Sequence, residues 1–186
     1  MKSYYLSCYD TQNILWPIFL KAKLGGNLEL FTQILSKTMM SLTEELSALI
    51  ECQQTIYLCP IPLRQSSLLK RGYSPQHLFA ESIAHHIGRP FMYAPTLLKR
   101  VRQTLPQTGQ SKADRMKSQV GSMAYRGPSR CPIILVDDVV TTGSTFKEAK
   151  RALTANQSTP LMYLSMFVTN HMVNHRLPLI SEQSRF

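Results

Sequence analysis

From Asn27 to Ile50 the apolar positions Leu28, Phe31, Ile34, Leu35, Met39, Leu42, Leu46 and Leu49 recur at spacings of three and four. That period predicts one amphipathic helix. Asn27 is a suitable N-cap and Glu29 suits the first turn. The period changes at Thr55-Ile56-Tyr57-Leu58-Cys59, a run of strand formers closed by Pro60-Ile61-Pro62; it predicts a buried strand and a constrained turn. Helical spacing returns over Ser74–Ile87 through Leu78, Phe79, Ile83, Ala84 and Ile87, with Gly88 as the stop. Residues 99–130 are polar and weakly periodic. They predict a long loop with a short helix near Ser111–Lys117, and loops of this length in a compact domain are functional or mobile. Pro132–Val136 is wholly apolar, as in a parallel strand covered on both faces. Phe146–Leu153 predicts a helix and Leu161–Val168 another buried strand. Beyond Asn170 the signal fades into a frayed tail.

Strand, helix, strand, helix, strand is the order of an α/β domain with a mainly parallel sheet flanked by helices. The expected organisation is a helical N-terminal arm over residues 1–54, the α/β domain over 55–170 and a tail over 171–186.

Composition narrows the class. The chain has 186 residues and 44% hydrophobic residues, enough for a sizeable core. No apolar run approaches the ~20 residues that span a bilayer, and the start lacks a signal-peptide core; a cytoplasmic protein is expected. The four cysteines, Cys8, Cys52, Cys59 and Cys131, form no C-x-x-C pair, so they read as free thiols rather than zinc ligands or a disulfide framework. His85 and His86 lie on the predicted helix, and a histidine pair of this kind is weak evidence for a metal site.

Charge is unevenly placed. Residues 1–63 carry four basic and five acidic side chains, residues 131–186 five and four, and residues 64–130 twelve and two. The net charge of +10 therefore lies in the middle segment. Such a field attracts phosphates, in a small ligand or along a nucleic-acid backbone. Tyr73, Phe79 and Tyr125 lie in or near it as core residues or, alternatively, as platforms for bases.

The chemistry concentrates in Val136-Asp137-Asp138-Val139-Val140-Thr141-Thr142-Gly143-Ser144-Thr145. An apolar strand ends in two carboxylates, then come hydroxyls and a glycine, and a helix begins. Ligands of parallel sheets bind at the carboxyl ends of strands, and the helix start offers N–H groups to a phosphate. Carboxylates would repel that phosphate unless they face ribose hydroxyls or a hydrated Mg²⁺. The string is neither a Walker loop nor a Rossmann fingerprint. It describes a ribose phosphate site formed by Asp137, Asp138, Val140, Thr141, Thr142, Gly143, Ser144 and Thr145.

This string resembles the phosphoribosyl pyrophosphate (PRPP) motif of type I phosphoribosyltransferases. Pro60-Ile61-Pro62-Leu63, Leu69-Lys70-Arg71-Gly72-Tyr73-Ser74-Pro75-Gln76, Leu98–Gln107 and Ser111-Lys112-Ala113-Asp114-Arg115 narrow the resemblance to the ComF competence-protein family. It covers roughly residues 55–168. The family's opening four-cysteine zinc finger has no counterpart here. Gly72-Tyr73-Ser74-Pro75-Gln76 stands where the family commonly has Gly-Phe-Asn-Gln, and the asparagine usual before Val120 is absent. The resemblance implies a type I phosphoribosyltransferase-like fold. It implies Mg²⁺ carried with PRPP, pyrophosphate on the turn Pro62, Leu63 and Arg64, and a closing basic loop. Lys70, Arg71, Lys99, Arg100, Arg102 and Arg115 supply the basic side chains. It also implies a role in natural competence, with single-stranded DNA and the uptake machinery at the inner membrane as partners. Two further readings stand beside PRPP binding: a non-catalytic DNA-handling protein using the fold as a phosphate scaffold, and a nucleobase phosphoribosyltransferase of nucleotide metabolism.

Overall fold

A computed structural model describes residues 4–50, 54–101 and 121–169. In chain order these form β1 (Tyr4–Asp10), α1 (Leu15–Gly25), α2 (Leu28–Glu45), α3 (Ser47–Ile50), β2 (Ile56–Pro60), α4 (Gln65–Arg71), α5 (Pro75–Ile87) and β3 (Phe91–Tyr93). Then follow β4 (Leu98–Arg100), β5 (Met123–Tyr125), β6 (Ile133–Val140), α6 (Ser144–Thr154) and β7 (Pro160–Val168). Five strands build one sheet in the order β1-β7-β6-β2-β3, and every pairing in it is parallel. β4 and β5 form a separate antiparallel pair.

The all-apolar strands follow from helices on both faces. Ile134 and Val136 of β6 point into a core shared with Phe19 of α1, Phe31 and Leu42 of α2 and Phe79 of α5. Ile133 and Leu135 point the other way, to Phe146, Ala149 and Leu153 of α6 and to Leu98 and Tyr125 of the β4–β5 pair. Alternate side chains of one strand thus enter two cores, so neither face can be polar.

Helix ends match their residues. Asn27 Oδ1 accepts the Leu30 N–H at 2.9 Å and caps α2. Pro75 opens α5 and Gly88 ends it. The helix expected over Asn27–Ile50 is interrupted at Leu46, whose side chain is fully buried.

Two expectations need correction. The arm is not helical throughout: Tyr4–Asp10 is an edge strand paired with β7. Its Tyr-Tyr-Leu-Ser-Cys-Tyr composition is strand-favouring, but the run gains its partner only from the far end of the chain. Likewise Leu98–Arg100 and Met123–Tyr125 are strands rather than loop, with Leu98 opposite Tyr125 and Arg100 opposite Met123. Three residues are too few to display an alternation, and the pairing is non-local. The short helix expected at 111–117, the tail 171–186, Cys52, Arg102 and Arg115 lie outside the described residues. No described helix is long and apolar enough to cross a membrane.

Candidate functional site

The site forms where β6 and β2 end side by side. β6 runs on past Val136 to Val140, so Asp137 and Asp138 extend from the sheet itself. Their residue exposures are 9% and 7%. Asp137 Oδ1 accepts the Asp138 N–H at 2.8 Å and Asp138 Oδ1 accepts the Val139 N–H at 2.8 Å, which fixes both carboxylates. Burial, and next the Asp138 charge, push the Asp137 carboxyl well above the ordinary aspartate range.

Asp138 Oδ2 lies 2.6 Å from Lys23 Nζ. Among the described residues this oxygen has Lys23 as its ionic partner and no hydrogen bond. Lys23 comes from the last turn of α1.

After Val140 the chain turns through Thr141-Thr142-Gly143 into α6. Gly143 adopts φ 66°, a left-handed conformation that a side chain would strain. Thr142 Oγ1 and Ser144 Oγ are 2.9 Å apart, and Thr169 donates its N–H to Val140 O and its hydroxyl to Thr141 O. Val140 has its side chain in the core, leaving only its backbone to a ligand. Thr141 and Thr142 are exposed.

The turn after β2 lies against this pair. Pro62, Leu63 and Arg64 precede α4, and a cavity of about 280 Å³ gathers them with Arg71, Arg100, Asp137, Asp138 and Thr145. Arg100 reaches it from β4, with Nε 3.4 Å from Pro62 O and Nη1 3.5 Å from Ser122 Oγ. Burial, then the neighbouring Arg64, lower the Arg100 pKa from its ordinary value, and burial does the same to Arg64. Arginine stays charged under such pressure. Cations brought together at the edge of an acidic pair suit a ligand with negative and hydroxyl groups at different ends.

Eight of the expected residues therefore meet in one cavity. Thr141, Thr142, Gly143 and Ser144 flank it on the loop, whereas Lys70 and Lys99 are exposed outside it. Lys99, with Arg100, Pro62 and Leu63, lines a neighbouring cavity of about 730 Å³.

Two contributors carry no signal of their own in the sequence. Lys23 sits on the N-terminal arm in the last turn of α1. Gln76, 2% exposed, donates Nε2–H to Ile61 O at 2.9 Å, and its Oε1 has no hydrogen-bond partner among the described residues. It ties α5 to the turn after β2 and lines the cavity; the motif Leu69–Gln76 contains it but does not reveal this contact. Glu148 likewise carries no signal in the sequence. It is 3% exposed and accepts from Met123 N–H at 3.0 Å and from Arg151 Nε at 2.8 Å, anchoring β5 on α6.

The three aromatics considered as base platforms are core residues. Tyr73 is 8% exposed with its hydroxyl on Ala22 O, Phe79 is fully buried, and Tyr125 donates to Pro128 O. His85 and His86 are exposed at the end of α5. Among the described residues no group of three His, Cys, Asp or Glu could hold a metal. Cys8, Cys59 and Cys131 are free thiols, and burial pushes Cys59 up to about 12.

Adenine phosphoribosyltransferase from Saccharomyces cerevisiae superposes with a TM-score of 0.50 over 84% of this chain and 80% of that one, at 14% identity. The chain has the phosphoribosyltransferase fold. A second adenine phosphoribosyltransferase structure aligns at TM-score 0.49 and 14% identity, over 84% of this chain and 81% of the other. In sequence the chain resembles competence protein F of Haemophilus influenzae, being 30% identical over 100 residues. That stretch is 52% of this chain and 43% of that protein, so the chain matches less than half the length of this relative. It is thus ComF-like in sequence and phosphoribosyltransferase-like in fold. No family model matches it.

Proposed function

We propose that this chain binds PRPP with Mg²⁺, or a closely related ribose phosphate, and acts in the uptake of DNA on the cytoplasmic side of the membrane. One observation carries the ligand reading: a single cavity joins the Asp137–Asp138 pair to Arg64, Arg71 and Arg100. A ribose bearing a pyrophosphate has hydroxyls at one end and concentrated negative charge at the other, matching that division. In this reading the acidic pair accepts from ribose hydroxyls, the arginines meet the pyrophosphate, and the loop Thr141–Thr145 at the start of α6 takes the 5-phosphate. The yeast relative of like fold was crystallised with an imino-altritol bisphosphate and adenine, which supports a doubly phosphorylated sugar as the ligand class. Similarity to competence protein F supports the DNA-uptake role.

The acidic pair offers two carboxylates and no third protein ligand among the described residues. That is too few for an ion caged by the protein, but it fits Mg²⁺ carried in on the pyrophosphate with waters completing its shell, the usual way this ion is bound. Bound there, Mg²⁺ would neutralise the leaving pyrophosphate. The protein's own share is positional: Gln76 fixes the turn after β2, and Glu148 fixes the strand pair that carries Arg100. Cations against departing pyrophosphate stabilise the charge that develops in phosphoribosyl transfer.

Thermal unfolding with PRPP and Mg²⁺ tests the reading. Ligand at about 100 times Kd stabilises by about 2.7 kcal/mol, which raises Tm by about 5–10 °C for a chain of this size. Ribose 5-phosphate and pyrophosphate separately should give less. An unmoved Tm at millimolar PRPP would defeat the proposal.

Exposed Lys70 and Lys99 outside the cavity favour a second reading, a strand of DNA tracked by the basic surface. Its affinity would fall steeply with salt. A flat salt dependence would remove it.

A further inference from the structure

Asp137 and Asp138 are adjacent, buried and aimed into one cavity, an arrangement that repels itself unless a cation is close. The structure supplies that cation from the N-terminal arm. Lys23 Nζ lies 2.6 Å from Asp138 Oδ2 and 5.4 Å from the centre of the Phe19 ring, with 16% of its side chain exposed. An aromatic face and a carboxylate together fix an ammonium better than either does alone.

The placement of α1 is itself constrained. The Tyr73 hydroxyl donates to Ala22 O at 2.9 Å, one residue before Lys23. Gly26, with φ 66°, caps the helix so closely against α4 that a Cβ there would stand 3.2 Å from Arg71 O. Phe19 is fully buried in the main core. The helix that delivers Lys23 is thus pinned on both sides of that residue to the segment carrying Arg71 and Tyr73.

We propose that Lys23 is the resident counter-ion of the Asp137–Asp138 pair, occupying the place at Asp138 Oδ2 that a divalent cation would otherwise take. The consequence for the ligand, which rests on the PRPP reading above, is that the pair takes ribose hydroxyls with little help from metal. Mg²⁺ then matters at the pyrophosphate end. Lysine suits this role because its ammonium donates to carboxylate and ribose oxygens alike and can swing on a flexible stem between them.

The test has two arms, run at pH 8 on the full chain with folding followed by far-ultraviolet circular dichroism. The first uses Mn²⁺ alone, read by electron paramagnetic resonance. Wild type should bind it weakly, with Kd above about 1 mM, at the weak end for carboxylate sites. An opposite charge at this range is worth about 1–3 pKa units, so Lys23→Met should tighten Mn²⁺ binding at least about tenfold. Lys23→Arg should stay within about threefold of wild type, since it keeps the charge. Equal Mn²⁺ affinity in wild type and Lys23→Met would overturn the proposal. So would micromolar Mn²⁺ binding by wild type that Asp138→Ala abolishes, a result that needs no Lys23 variant to fold.

The second arm titrates PRPP with Mg²⁺ and with EDTA. Removing Mg²⁺ should weaken Lys23→Met at least about tenfold more than wild type. An equal loss in both proteins would overturn the role in ligand binding. Failure of every protein to bind PRPP would refute the ligand reading alone, because the Mn²⁺ arm stands without it.

Discussion

Glu148→Ala removes the residue that fastens the Arg100-bearing strand pair to the helix following the PRPP-type loop. Glu148 accepts from Met123 N–H at 3.0 Å and from Arg151 through Nε at 2.8 Å and Nη2 at 2.9 Å, while Arg151 Nη2 also donates to Met123 O at 3.0 Å. Hydrogen bonds to a charged partner contribute about 1.5–3 kcal/mol, and an orphaned buried donor costs about 1–3 kcal/mol. The Arg151 side chain is 44% exposed and can rehydrate, so the loss centres on the Met123 N–H. A net destabilisation of about 3 kcal/mol is expected, at the low end for breaking a buried pair. At about 2–4 °C per kcal/mol for a chain of this length, Tm falls by about 6–12 °C. Glu148→Gln, which keeps the Met123 acceptor, should lose about half as much. Urea unfolding gives the magnitude, and hydrogen exchange at Leu98–Arg100 and Met123–Tyr125 gives the location. A loss under about 1 kcal/mol, or one without faster exchange in those strands, would refute the anchoring role. Burial pushes the Glu148 carboxyl up, but Arg151 and the Met123 and Gly121 amides hold it below the ordinary glutamate range. Its contribution is therefore complete above that range and lost as pH falls through the depressed value.

Asp137 gives the opposite sign. Its raised value means that its contribution is present below the unfolded aspartate range and lost as pH rises through the folded one. Asp137→Asn should thus be more stable than wild type at pH 8 while binding PRPP less tightly; a lower Tm at pH 8 would contradict this. Gly26→Ala forces a side chain into a left-handed conformation and against Arg71 O, and should cost about 1–2 kcal/mol in urea unfolding; an unchanged midpoint would show that α1 is not pinned there. Arg100→Met should weaken pyrophosphate binding at least about tenfold, or 1.4 kcal/mol. Its stability should hold or rise, because Arg64 no longer faces a second half-buried cation; unaltered pyrophosphate affinity by calorimetry would exclude Arg100 from the site.

The loop at residues 136–145 was legible because its chemistry is contiguous: one strand end, two acids, hydroxyls, a glycine and a helix start. The parallel sheet was legible from its apolar runs, which only double coverage explains. Lys23 was not, since nothing around it in sequence marks the pairing with Asp138 that tertiary packing of α1 creates. Gln76 and Glu148 were hidden for the same reason: each bonds a backbone group that the sequence does not place nearby. The strand Tyr4–Asp10 and the β4–β5 pair depend on partners far along the chain, so local pattern alone could not assign them.

Calorimetric titration of PRPP with Mg²⁺ into wild type and the Asp137→Ala/Asp138→Ala double variant tests the central claim most directly. Wild type should bind one PRPP per chain, and the double variant should lose at least about hundredfold in affinity, or about 2.7 kcal/mol. Absence of binding by folded wild type, or equal affinity in the two proteins, would contradict a ribose phosphate site on the acidic pair.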